Sequence, residues 1–182
     1  KKLNAPGILS KRTFFKIADR WKPDSYSFFT PGQVYKIGDI SIYPFIKKHD
    51  AVEPSSFRVE LEGKNIGVLT DIGEPDVTLQ QEFSKCNAVF LESNYDVDML
   101  WNGHYPYMLK RRVDSEIGHL SNDQALSLTK EFASAQLKTI FLSHISASNN
   151  TIELAMKNFS VLNGRFDIKL ASRYGISELV NL

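Results

Sequence analysis

Two histidines and one aspartate stand where a folded chain could gather them around a metal. His49 closes the run 40–47 and precedes Asp50-Ala51; Asp71 follows the run 66–70 and precedes Ile72-Gly73; His144 follows the apolar run 139–142. Imidazole nitrogens and a carboxylate oxygen delivered from strand ends are donors that Zn²⁺ and Mn²⁺ accept. Glu92-Ser93-Asn94 follows another apolar run, 88–91, and puts further polar groups in the same kind of place. The separations are 22 residues from 49 to 71 and 73 from 71 to 144, which match no local metal motif. On spacing alone, each histidine, His104 and His119 included, is equally open to a structural or surface role.

The elements that must position these groups can be read from periodicity. Residues 34–37 and 40–47 read as strands around the turn Gly38-Asp39. A cleaner hairpin follows: Phe57, Val59 and Leu61 alternate with Arg58, Glu60 and Glu62, and Gly63-Lys64-Asn65 turns the chain into Ile66-Gly67-Val68-Leu69-Thr70. Residues 88–91 and 138–142 read as buried strands. Helices are predicted over 76–85, from Ser121 (with Gln124 three residues on, a capping-box pattern) and over 149–159. A rough apolar stripe over 8–21 predicts one more helix, broken at Lys22-Pro23-Asp24. Strands followed by helices, with polar residues at the strand ends, indicate a layered α/β fold with its chemistry at one end of the sheet.

Composition narrows the classes. The chain has 182 residues, 42% of them hydrophobic, enough for one domain with a proper core. Its 22 basic and 21 acidic side chains give a net charge of +1, so no global field draws it to nucleic acid or membrane. Charge is uneven, however: Lys1, Lys2, Lys11, Arg12, Lys16, Arg20 and Lys22 face a single acid, Asp19, in the first 22 residues. That cluster is either a solvated helix face or a phosphate-attracting patch. The lone Cys86 rules out an intrachain disulfide framework and a cysteine-based zinc site. No apolar run nears the ~20 residues needed to span a bilayer, so no membrane role is expected; the lone cysteine fits a reducing, cytoplasmic setting.

The segments Lys48-His49-Asp50-Ala51, Leu69-Thr70-Asp71-Ile72-Gly73, Leu91-Glu92-Ser93-Asn94, Gly118-His119-Leu120-Ser121-Asn122 and Leu142-Ser143-His144-Ile145-Ser146 occur in this order. Together they resemble the downstream motifs of metallo-β-lactamase-fold hydrolases, from about residue 34 to 150, and most of all an exonuclease-like bacterial branch. The resemblance implies a metallo-β-lactamase αββα sandwich, incomplete at the N-terminus. Residues 1–182 would be the C-terminal portion of a single such domain, whose His-x-His-x-Asp-His motif lies upstream. It further implies two divalent ions, Zn or Mn, in the intact protein. His49 would cap one ion, His144 the other, and Asp71 would bridge both.

By the same resemblance His119 would contact the scissile phosphate or protonate the leaving group, a task suited to an imidazole that titrates near neutrality. Asn122 would orient it for substrate, or else serve the start of the next helix. Arg111 and Arg112, beside Lys110, would meet substrate phosphates or form a solvated basic turn. His104 falls at a variable position of an Asn-Gly-x-Tyr-Pro motif, which favours a surface role. The implied activity is a metal-dependent phosphodiesterase or nuclease, 5′-exonuclease-like, hydrolysing nucleic acid with a metal-activated water. Hydrolysis of a small cyclic phosphodiester, lactone or thioester is the alternative within enzymes. A non-catalytic binding fragment is the alternative outside them. Two protein ligands per ion fall short of the three usual at a catalytic zinc, so the chain alone is expected to be inactive and to self-associate through an uncovered sheet face.

Overall fold

The hairpin around Gly63 seeds the main sheet. In the computed structural model, which describes residues 5–177 and 179–182, β5 (Ser55–Leu61) pairs antiparallel with β6 (Lys64–Leu69), Phe57 opposite Val68 and Leu61 opposite Lys64. The two turn residues are therefore Glu62 and Gly63, one position earlier than the alternation predicts. Both have positive φ, +50° and +76°, as a tight hairpin turn matching the strand twist requires. β3 (Tyr35–Ile37) and β4 (Ile40–Ile46) extend the antiparallel half around the expected Gly38 turn. β7 (Ala88–Glu92), β8 (Thr139–Ser143) and β9 (Asp167–Leu170) add a parallel half, giving a seven-stranded sheet in the order β3 to β9. The near-continuous apolar character of β7 and β8 follows from burial on both faces.

Helices cover one face. α2 (Val77–Ser84), α5 (Asn122–Phe132) and α6 (Ile152–Phe159) are N-capped by the side chains of Asp76, Ser121 and Thr151. The capping box read at Ser121 and Gln124 is present, with both hydrogen bonds made. Leu79, Phe83, Ala125, Leu128, Ala155 and Phe159 pack on Leu69, Val89, Leu91, Ile140 and Leu142 of the sheet. Each of the larger side chains among these, removed from water, contributes roughly 1.5–3 kcal/mol. Cys86, just beyond α2, lies in this core beside Gly67, where a Cβ would meet its sulfur at 2.9 Å. Burial pushes its thiol pKa up to about 12. A thiol-specific disulfide reagent is therefore expected to leave Cys86 untouched in the native protein and to label it once urea opens the core; stoichiometric labelling without denaturant would contradict this.

The opposite face meets a second, smaller sheet. β1 (Gly7–Ser10) and β2 (Tyr26–Phe29) pair in parallel, and Ser10 caps the short α1 (Lys11–Lys16). This corrects the single helix predicted over 8–21. Ile8 and Leu9 fit the helical period, yet β2 offers them a strand partner, and Ser10 at the helix start marks the change. Phe14 packs on Tyr26 and Phe28 on the outer side, and Phe29 meets Phe57 on the inner side at 5.4 Å. The layer order is thus helix, small sheet, large sheet, helices. A groove of about 270 Å³ between the sheets is lined by Ile8, Phe29, Ile42, Val59 and Val68. Two short helices that periodicity did not reveal, α3 (Val97–Asn102) and α4 (Tyr107–Val113), close over Tyr95, Leu100 and Val113. Among the described residues, no helix is long and apolar enough to cross a membrane.

Candidate metal centre

Strand ends β4, β6 and β8 deliver His49, Asp71 and His144 to one point. His49 Nε2 lies 3.7 Å from Asp71 Oδ1, and His144 Nε2 lies 3.5 Å from the same oxygen. Asp71 thus sits between the two imidazoles. Asp71 and His144 both adopt φ of +54°, a left-handed conformation that L-residues rarely hold. Such backbone outliers persist where the surroundings over-determine them, and they concentrate at functional sites. His119 joins the group: its ring centroid is 5.2 Å from those of His49 and His144, and one of its ligand atoms lies within 4.8 Å of those of His49 and Asp71.

All three rings are oriented from behind. His49 Nδ1 is 2.9 Å from the carbonyl oxygen of Gly118, which cannot donate, so the nitrogen must carry the proton. His119 Nδ1 and His144 Nδ1 lie 2.8 and 2.6 Å from Glu92 Oε1 and donate to it. Asn94 Nδ2 also approaches His144 Nδ1, at 3.3 Å, but two donors cannot bond each other; the amide instead donates to the His144 carbonyl at 2.8 Å and steadies its unusual backbone. With Nδ1 protonated, each Nε2 presents a lone pair, and two of these lone pairs face an anionic carboxylate. For neutral imidazoles that arrangement is repulsive, and either a proton on Nε2 or a metal cation between the groups relieves it. Imidazoles backed through Nδ1 by a carbonyl or carboxylate are the usual support of metal-binding histidines. The donor set therefore fits a divalent ion.

Glu92 is the residue that sequence reasoning left without a role. It is fully buried at the end of β7, and its other oxygen accepts from the Ile72 amide at 2.6 Å. Burial opposes its charge, but hydrogen bonds from His119 and His144 outweigh this and hold its pKa below the ordinary carboxylate value. In return, the hydrogen bond to Glu92 raises the His144 pKa against the cost of burial. The available signal was an acid closing an otherwise apolar strand. Lys47 was also missed: it is buried, its Nζ donates to the Thr70 carbonyl at 2.5 Å, and burial lowers its pKa while Asp71 and Glu92 oppose that. Two glycines let the loops converge. A Cβ on Gly73 would strike the Glu116 carbonyl oxygen at 2.2 Å, and one on Gly118 the Val113 carbonyl oxygen at 2.2 Å.

The remaining sequence candidates scatter. Asn122 is buried, accepting from Ser93 Oγ at 2.6 Å and bonded to the Asn150 amide; it ties loops together behind the site, and Ser121 caps the helix. Arg112 pairs with Asp50 at 2.5 Å, and its side chain reaches a cleft beside His119. Arg111 is exposed and lines neither cleft next to the centre, and Lys110 donates to the Trp101 carbonyl. His104 is exposed between α3 and α4.

The fold recurs in solved structures. The metallo-β-lactamase fold protein YhfI from Bacillus subtilis superposes with a TM-score of 0.67, covering 91% of this chain and 62% of that one at 14% identity. This chain has the metallo-β-lactamase fold. A diphosphatase from the PhnP family shares it, with a TM-score of 0.59 over 91% of this chain and 55% of its own, at 15% identity. In sequence, the metallo-β-lactamase-fold chain is similar to exodeoxyribonuclease YycJ of Bacillus anthracis: 34% identical over 137 residues, 75% of this chain and 52% of the relative. It spans about half the length of the curated relatives it matches. No protein-family model matches it.

Proposed function

We propose that the intact protein is a metal-dependent phosphodiesterase acting on nucleic acid as an exonuclease. The observation that carries this is the set of Nε2 lone pairs turned onto Asp71 by fixed Nδ1 bonds; the similarity to an exodeoxyribonuclease supports the substrate class. Two divalent ions, zinc or manganese, would share Asp71, with His49 on one side and His144 on the other. Bound there, they would supply Lewis acidity to phosphate oxygens and lower the pKa of water.

The protein's own groups do the rest. Asp71 holds its charge between His49 and His144 and sets where a cation can lie. His119, its Nδ1 proton committed to Glu92, can take a proton at Nε2 and release it to a departing oxygen, while the buried Glu92 carboxylate stabilises the imidazolium. The full-length protein loaded with Mn²⁺ or Zn²⁺ is expected to degrade single-stranded DNA, with activity lost in chelator and restored by metal. Mass spectrometry of the products would establish the reaction. A metal-loaded protein inert on phosphodiesters but active on a lactone or thioester would overturn the assignment.

A further inference from the structure

Two clefts flank His144. One, of about 320 Å³, is lined by Tyr105, Leu109, Arg112, His119 and the loop 145–149; the other, of about 590 Å³, by Ile152, Leu170, Ala171 and Tyr174. They share His144, residues 145–147 and Arg173, so Arg173 stands where one passes into the other. Among the described residues, neither cleft has an Asp or Glu in its lining. Arg112 is held by Asp50, but Arg173 has no carboxylate partner among the described residues. Its Nη2 donates to the Ile145 carbonyl at 3.4 Å. The loop between them is shaped by Ser146, whose Oγ accepts from the amides of Ser148 and Asn149.

We infer that the two clefts form one track for single-stranded nucleic acid, with Arg173 gripping a backbone phosphate beside the scissile one. This rests on the phosphodiesterase reading. A guanidinium that has no acidic partner among the described residues, in a trough whose described lining holds no acid, is matched to a phosphate diester, which it can hold through two parallel N–H bonds. Each side of Arg173 offers a tyrosine, Tyr105 half-buried in one cleft and Tyr174 exposed in the other. Alternating cation and aromatic surface suits unpaired bases, which stack on rings whatever their sequence. A duplex keeps its bases stacked internally and would leave both rings idle.

Fluorescence anisotropy on the full-length protein in EDTA, with a labelled single-stranded oligonucleotide, tests this without turnover. Arg173→Ala is expected to weaken binding about 5- to 10-fold at 50 mM salt and to reduce the slope of log affinity against log salt by about 0.7, one phosphate contact on a single strand. Tyr174→Ala should weaken single-stranded binding and leave duplex binding alone. Lys130→Ala, which removes an exposed charge from the end of α5, is the control and should change neither affinity nor slope. If the wild type binds and cleaves single strands while Arg173→Ala keeps the same affinity and slope, the track is wrong and the nuclease reading stands. If the wild type neither binds nor cleaves nucleic acid, the nuclease reading falls and takes the track with it.

Discussion

Asp71→Ala in the intact protein is expected to cut DNA hydrolysis at least ~10³-fold, about 4 kcal/mol of barrier, and to release the bound metal. Among the described residues, Asp71 Oδ1 is the one carboxylate oxygen within 3.7 Å of both His49 and His144 Nε2, so no neighbouring carboxylate can replace it between them. The substitution also touches the backbone. At φ +54°, alanine costs roughly 1–2 kcal/mol that glycine does not, whereas asparagine, like aspartate, tolerates this region. Asp71→Gly separates the two effects: it should lose metal and activity like Asp71→Ala while melting higher. Asp71→Asn, keeping shape and losing charge, should retain part of the metal affinity. Metal analysis, melting curves and turnover on the same samples decide it. Retained metal and near-normal turnover in Asp71→Gly would remove Asp71 from the centre.

His119→Ala should lower turnover ~10²–10⁴-fold, the range for loss of a general acid or base. Metal content should stay unchanged if His119 is a proton carrier. Its proximity to His49 and Asp71 makes the contrary result equally informative, because loss of one ion would make it a ligand. Glu92→Gln acts through the same side chain and is expected to be worse for the fold. Glu92 Oε1 accepts two imidazole N–H bonds and Oε2 accepts the Ile72 amide. An amide nitrogen placed toward Ile72 would set donor against donor in a site closed to water. That costs roughly 1–3 kcal/mol, and metal affinity should drop ~10- to 100-fold, as for other supporting carboxylates. Unchanged melting and metal affinity in Glu92→Gln would show that this carboxylate positions nothing.

Much of the scaffold was legible along the chain. The Phe57–Leu69 hairpin, the buried strands ending at Glu92 and Ser143, and the helix opened by Ser121 and Gln124 depend on neighbours a few residues away, and their period or cap chemistry is local. The ordering of His49, Asp71 and His144 after strands was legible for the same reason. The strand β1 was not: Ile8 and Leu9 fit a helix until β2, 19 residues further on in register, supplies hydrogen bonds. α3 and α4, of six and seven residues, are too short to show a period.

Within the centre, residue types suggested a metal site, but only the tertiary structure assigned the parts. Glu92 became the shared anchor of two histidines because β8 lies beside β7 and the segment before α5 returns over the end of β7. Asn122, beside His119 in sequence, was carried by its helix into the buried amide network with Asn150. Gly118 turned out to matter through its carbonyl, which fixes the proton on His49 from 69 residues away. Sequence order conveys which side chains leave the ends of strands. Which of them meet, and which nitrogen each turns toward its neighbour, is set by strand order and loop approach between residues far apart in the chain, and no local pattern encodes that.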